Sequence, residues 1–168
     1  SKPLVDFINT YKKQNADVEI ILALNKESDL FGELKQLSKK ISVIFDSTQK
    51  VLASCNMAIV ASGTATLEAA ILAKPMVVIY KSNKLSNFIL SNFFLKTKFI
   101  SLPNILSQEK IVFELRQNQV SGKEISEKVE LTLKNQEVIS NKLSLIRDSL
   151  LVTDSNKFSI ALREILAK

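Results

Sequence analysis

The stretch VASGTATLEAAILAKPMVVIY, Val60–Tyr80, constrains the fold more than any other part of the chain. An apolar run enters the small-residue turn Ser62-Gly63-Thr64, a helical pattern follows, and a second apolar run, MVVIY, closes the unit. Strands joined through a helix cannot form a hairpin; the crossover makes them parallel. Parallel strands are buried on both faces, so MVVIY needs no polar alternation.

The same alternation extends in both directions. Leu4, Phe7, Ile8 and Tyr11 recur at helical spacing, with Pro3 suited to a first turn. Val18–Leu24 reads as a strand, Phe31, Leu34 and Leu37 as a helix face, and Ile41–Phe45 as the next strand. STQKVLAS is a short helix, which Asp46 is placed to cap, and Met57–Ala61 is the third strand. Gly63–Ala73 is helical, Met76–Tyr80 is the fourth strand, Leu85–Leu95 is helical, and FISL is a short last strand. Short loops and strands apolar on both faces predict an α/β fold, a Rossmann-like parallel sheet with helices on both faces.

After Pro103 no further strand is predicted. SGKE, Ser121–Glu124, has the form of a capping box and should start a helix. A second helix is expected from about Gln136 to Leu151. TDS caps a third, in which Phe158, Ala161, Leu162, Ile165 and Leu166 form a stripe. Residues 121–168 are thus expected to be a helical segment following a sheet-bearing domain over residues 1–120, with room for part of the surface they bury against to lie in another domain.

Composition removes several chemistries. The chain holds no histidine, which excludes His-based catalysis and most transition-metal sites from it. Its lone cysteine, Cys55, cannot make an internal disulfide and reads as core. A net charge of +6 favours phosphate-bearing partners. Nucleic acid is not among those expected: there is no zinc knuckle and no aromatic RNP-like strand, and arginine occurs only at Arg116, Arg147 and Arg163. No apolar run approaches the ~20 residues of a spanning helix. The N-terminal SKPLVDFINTYKKQN lacks a cleavage motif, so a cytoplasmic location is expected.

Ligands of doubly wound sheets sit beyond the carboxyl ends of the strands. Ser62, Gly63 and Thr64 lie there, at the start of a helix whose N–H groups suit a phosphate. Glu68, one turn on, suits ribose hydroxyls; the alternative is an ordinary helix start whose Glu68 complements the dipole. SLPNIL, Ser101–Leu106, is a second strand end, read by itself as a Pro-Asn turn. Lys81–Phe99 carries Lys84 and Lys96 with Phe88, Phe93 and Phe94 and no acid. That mixture fits an anionic membrane surface or an acyl chain, and equally a helix covered by a neighbouring domain.

ASGTATLEAAILAKPMVVIYK, followed by FISLPNIL and VFELRQ, resembles the lipid-A-disaccharide synthase family, whose pattern is A-S-G-T-A-x-L-E, P-M-V-V-x-Y-R, Y-V-S-L-P-N-L-L and V-x-E-L-x-Q. Order and spacing match from about Met57 to Gln117. The resemblance implies a two-domain GT-B glycosyltransferase that moves 2,3-diacylglucosamine from UDP to 2,3-diacylglucosamine 1-phosphate, peripheral to the inner membrane. It implies that Ser62, Gly63 and Thr64 hold the diphosphate, that Glu68 binds ribose, and that Asn104 and Gln117 shape the donor site. No metal or other cofactor is implied. Lys81 stands where the family has arginine, and SQEK follows PNIL where relatives often have a glycine-basic pair.

The resemblance also implies that the acceptor-binding N-terminal domain, with the catalytic base, and an L-P-G-S-R strand lie outside this chain. The chain by itself is then expected to be inactive. A stand-alone UDP-binding or interaction module without turnover, another UDP-sugar GT-B enzyme and a UDP-sugar epimerase are the alternatives. With the order 3-2-1-4-5-6, the absent strand is central. Val18–Leu24 and Met57–Ala61 should then flank an empty position.

Overall fold

The computed structural model describes residues 2–24, 41–81 and 98–152. Helix α1, Lys2–Gln14, leads to strand β1, Ile21–Leu24. Strand β2, Ser42–Phe45, precedes helix α2, Thr48–Ser54, and strand β3, Ala58–Ala61. Helix α3, Thr64–Ile71, crosses to strand β4, Met76–Tyr80. Helix α4, Leu102–Ser107, then strand β5, Phe113–Arg116, and helices α5, Gly122–Lys134, and α6, Gln136–Val152, complete the described chain.

Every ladder is parallel, as the crossover pattern requires. The strands form two pieces, β1-β2 and β3-β4-β5. Among the described residues β1 and β3 do not pair, which is where the strand order of a doubly wound sheet places its central strand.

Backbone direction shows which groups face that position. Ser42 N donates to Ile20 O and Asp46 N to Leu24 O, so Ile20, Leu22 and Leu24 turn toward β2. Ile21 and Ala23 therefore turn away from it. Ala58 N donates to Pro75 O and Ser62 N to Ile79 O, which leaves Ile59 and Ala61 directed away from β4.

The side chains build a core on each face. Val77 and Leu115 pack with Phe7, Ile8 and Tyr11 of α1 and with Ile125 and Val129 of α5. Leu22, Val43, Ile59 and Ile79 join this cluster, so α1 and α5 lie against both pieces of the sheet. On the opposite face Val60, Met76 and Val78 pack with Ala69 and Ala70 of α3 and with Ile139, Leu143 and Ile146 of α6. The two C-terminal helices within the described residues thus bury against opposite faces of this same sheet.

Several local expectations change. FISL is not a strand: its segment runs through bends into α4. SLPN is not a turn either, because Pro103 occupies the first turn of α4, where its missing N–H costs no bond. A strand does follow Pro103. β5 was hidden by the charges of Glu114 and Arg116, which interrupt the apolar pattern and pair with each other at 2.8 Å. Asp46 does not cap α2; Ser47 is the N-cap residue, and Asp46 has a φ of 51°. At α5 only half of the capping box forms: Ser121 Oγ accepts from Glu124 N at 3.2 Å, while Ser121 N donates to Gln119 O. The helices expected around Phe31, over Leu85–Leu95 and around Phe158 lie outside the described residues.

Candidate functional site

Parallel strands bring their carboxyl ends to one edge. Ser62 follows β3, Lys81 follows β4 and Gln117 follows β5. The turn after β3 is tied to its neighbour through the Ser62 N bond to Ile79 O, 3.0 Å. Gly63 then adopts a φ of 151°, a backbone that side-chain-bearing residues rarely take. Among the described residues a Cβ at Gly63 would meet nothing within 4 Å. Gly63 is also the N-cap residue of α3, and no side chain among the described residues caps that helix. Thr64 is exposed beside it. The start of α3, at Gly63 and Thr64, is thus exposed without the acceptor a Ser or Asp cap supplies, which is the local chemistry an anion needs.

Ser62 plays a different part from its neighbours. Its hydroxyl donates to Ile100 O at 3.0 Å, so its one proton is spent inside the protein. What Ser62 offers a ligand is position and lone pairs. Donors for an anion come from the backbone and from the Thr64 hydroxyl.

Glu68 is half-buried and lies four residues beyond Thr64, on the same face of α3. It lines an open cleft of about 250 Å³ with Gln49, Ile71 and Leu72. Gln117, half-exposed, has a φ of 48° where β5 turns into a single 3₁₀ turn. Ser62, Gly63, Thr64, Glu68 and Gln117 thus stand on one edge or on the first helix behind it.

Asn104 is beneath that edge, fully buried. Its Nδ2 donates to Val112 O and to Glu114 Oε1, both at 2.9 Å. Its Oδ1 accepts from Ile111 N at 2.8 Å and Val112 N at 2.9 Å. All of its capacity is used in joining α4 to β5, so it shapes the edge from below. Lys84, Phe88, Phe93, Phe94 and Lys96 lie outside the described residues.

Sequence reasoning missed Glu114, Ser101 and Thr66. Glu114 sits opposite Val78 in the β4-β5 ladder. Burial alone would push its carboxyl up; the Arg116 guanidinium, the Ser101 hydroxyl and the amides of Ser101 and Ile100 outweigh burial and hold it below the ordinary carboxylate range. Thr66 is fully buried and donates to Gly63 O at 2.7 Å. The available signal was an acid inside an apolar run, VFEL, with no polar alternation to excuse it. Among the described residues no three acids or cysteines gather as metal ligands, and no helix is long and apolar enough to cross a membrane.

A family model described as lipid-A-disaccharide synthetase matches residues 1–166. The lipid-A-disaccharide synthase of Colwellia psychrerythraea is 31% identical over 176 residues, covering 99% of this chain and 44% of the relative. That of Pasteurella multocida is 30% identical over 142 residues, covering 82% of this chain and 36% of the relative. That of Cellvibrio japonicus is 44% identical over 86 residues, 51% of this chain and 22% of the relative. This chain spans less than half the length of these relatives. It belongs to the lipid-A-disaccharide synthetase family.

Proposed function

We propose that this chain is the donor-binding part of a lipid-A-disaccharide synthase. It binds the UDP carrier of 2,3-diacylglucosamine, which is transferred to 2,3-diacylglucosamine 1-phosphate with release of UDP. One observation carries the reading: among the described residues the start of α3 at Gly63 has no side-chain cap and nothing within 4 Å of a Cβ placed on that glycine, at the carboxyl edge of a parallel sheet. Family membership supports a sugar nucleotide as the ligand we assign to that edge. The diphosphate lies against the N–H groups of the Gly63–Thr64 turn, and Glu68 accepts from the ribose hydroxyls. Departing UDP gains negative charge, and N–H groups already aimed at it stabilise the transition state without reorganising. The acceptor site and the general base are assigned to the length of the relatives beyond this chain.

Calorimetry with UDP tests the reading. Glu68→Ala should lose one charge-assisted pair, about 1.5–3 kcal/mol of affinity. Unchanged affinity would remove Glu68 from the ribose. Parent samples given both acylated substrates should form no disaccharide; turnover would overturn the division of labour.

A further inference from the structure

We propose that Glu114 is a positioning residue for the Ser62–Gly63 turn, acting through the backbone of Ile100–Leu102. The inference rests on the reading of that turn as the diphosphate site.

The Glu114 side chain is only 6% exposed, in mid-strand, where its partner across the ladder is a valine. A buried carboxylate is costly unless every acceptor direction is used. Here they are used. Ile100 N donates to both oxygens at 3.1 Å. Ser101 N donates to Oε1 at 2.9 Å and Ser101 Oγ to the same oxygen at 2.7 Å. Asn104 Nδ2 adds a bond of 2.9 Å, and Arg116 Nη2 reaches Oε2 at 2.8 Å. The Arg116 guanidinium also donates to Lys98 O at 2.8 Å, so the clamp spans Lys98–Ser101.

For stability alone an apolar residue would serve here about as well as a buried ion pair. An apolar residue cannot grip two consecutive backbone N–H groups. That grip fixes the course of the segment entering α4, and the segment in turn holds the candidate site at two points. Ile100 O accepts the Ser62 hydroxyl at 3.0 Å. Leu102 N donates to Thr66 Oγ1 at 3.3 Å, and that hydroxyl donates to Gly63 O at 2.7 Å. The route from Glu114 to both residues of the turn thus runs through hydrogen bonds and the backbone of Ile100–Leu102, with no step through solvent. Because the charged form accepts the bonds from Ile100, Ser101, Asn104 and Arg116, neutralising it loosens the anchored end of the route.

Glu114→Gln tests this, since it keeps the shape and replaces an acceptor with a donor facing donors. Two readouts are taken: hydrogen exchange at the Ser62 and Thr66 amides, and UDP affinity by calorimetry. Val129→Ala, buried on the other face, is the control for general loss of stability. In Glu114→Gln, exchange at Ser62 and Thr66 should accelerate about tenfold or more, with Val77 and Val78 much less affected, and the UDP dissociation constant should rise about tenfold. The control should leave the UDP constant unchanged. Unchanged turn exchange in folded Glu114→Gln, or equal effects in the control, overturns the inference. If Glu114→Gln does not fold, Ser101→Ala removes only the 2.7 Å hydroxyl donor. It should raise both readouts by roughly two- to tenfold, and no change would overturn the inference. If the parent protein does not bind UDP, the donor-site reading fails, and the exchange readout alone decides the role of Glu114.

Discussion

Strands β1 and β4 are equally apolar in sequence and unequally housed. Met76, Val77 and Val78 of β4 are fully buried, with a strand on each side and helices on each face. In β1, ILAL, only Leu24 is buried, and β2 is its one partner among the described residues. β3 is intermediate: it pairs with β4, yet only Val60 is buried and Ala61 is exposed. The difference is in the neighbours. A parallel strand reaches full burial only when both faces and both edges are covered. What separates β4 from β1 and β3 is therefore the position between the two pieces of sheet, unpaired among the described residues.

The largest expected effect is in the core. Met76→Ala should cost about 2–5 kcal/mol, because the fully enclosed site cannot collapse around the missing atoms. Leu22→Ala, a partly buried β1 residue in the other cluster, should cost roughly half as much. Urea melts of both variants make the comparison. Equal losses would mean that β1 is as firmly housed as β4.

How much of this was legible in the sequence depends on whether the information was local. The limits of β4 matched the apolar run MVVIY, because a strand with two neighbours is apolar throughout. α6 began where expected, at Gln136, and ran one residue past the expected end. β5 was lost for a physical reason: Glu114 is satisfied by donors from Ile100, Ser101 and Asn104, contacts that no local pattern announces. The Ser62–Thr64 turn was legible because Gly63 and its flanking hydroxyls are a local signal at a strand end. That Asn104 is buried and that the Ser62 proton is spent on Ile100 O could only come from the tertiary arrangement.

A finer effect should appear in single amides. In β4 each amide has a neighbouring strand to meet, so Val77, Val78 and Ile79 should all exchange slowly. In β3 protection should alternate. Val60 faces β4, whereas Ile59 and Ala61 face the unpaired position and should exchange faster, by about tenfold or more. Ile21 and Ala23 of β1 should follow Ile59 and Ala61. Residue-resolved exchange by NMR checks this. Uniform protection along β3 would mean that a strand already occupies the gap.

The smallest expected effect is in the acid limb of stability, and it is confined to the β3-β4-β5 piece. The folded carboxyl of Glu114 is held below its ordinary value of 4.5, so folding favours the charged form. Its contribution is therefore complete above the unfolded pKa, at neutral pH, and is lost as pH falls below 4.5 through the folded pKa. Tyr11, at the seam of α1 and α5, has the opposite sign. Burial and the 2.7 Å bond to Glu130 push its phenol up to about 12 from 10.0, so its contribution is present below pH 10 and fades as pH rises toward 12. Melts of the parent and of Glu114→Gln from pH 3 up through pH 7 to about pH 12 separate the two groups. The stability gap between the proteins should narrow only on the acid side. The alkaline decline should be the same in both, because Tyr11 packs in the cluster on the other face of the sheet. A gap that stays constant down to pH 3 would mean that the charge on Glu114 contributes nothing to the fold, and that the clamp holds by shape alone.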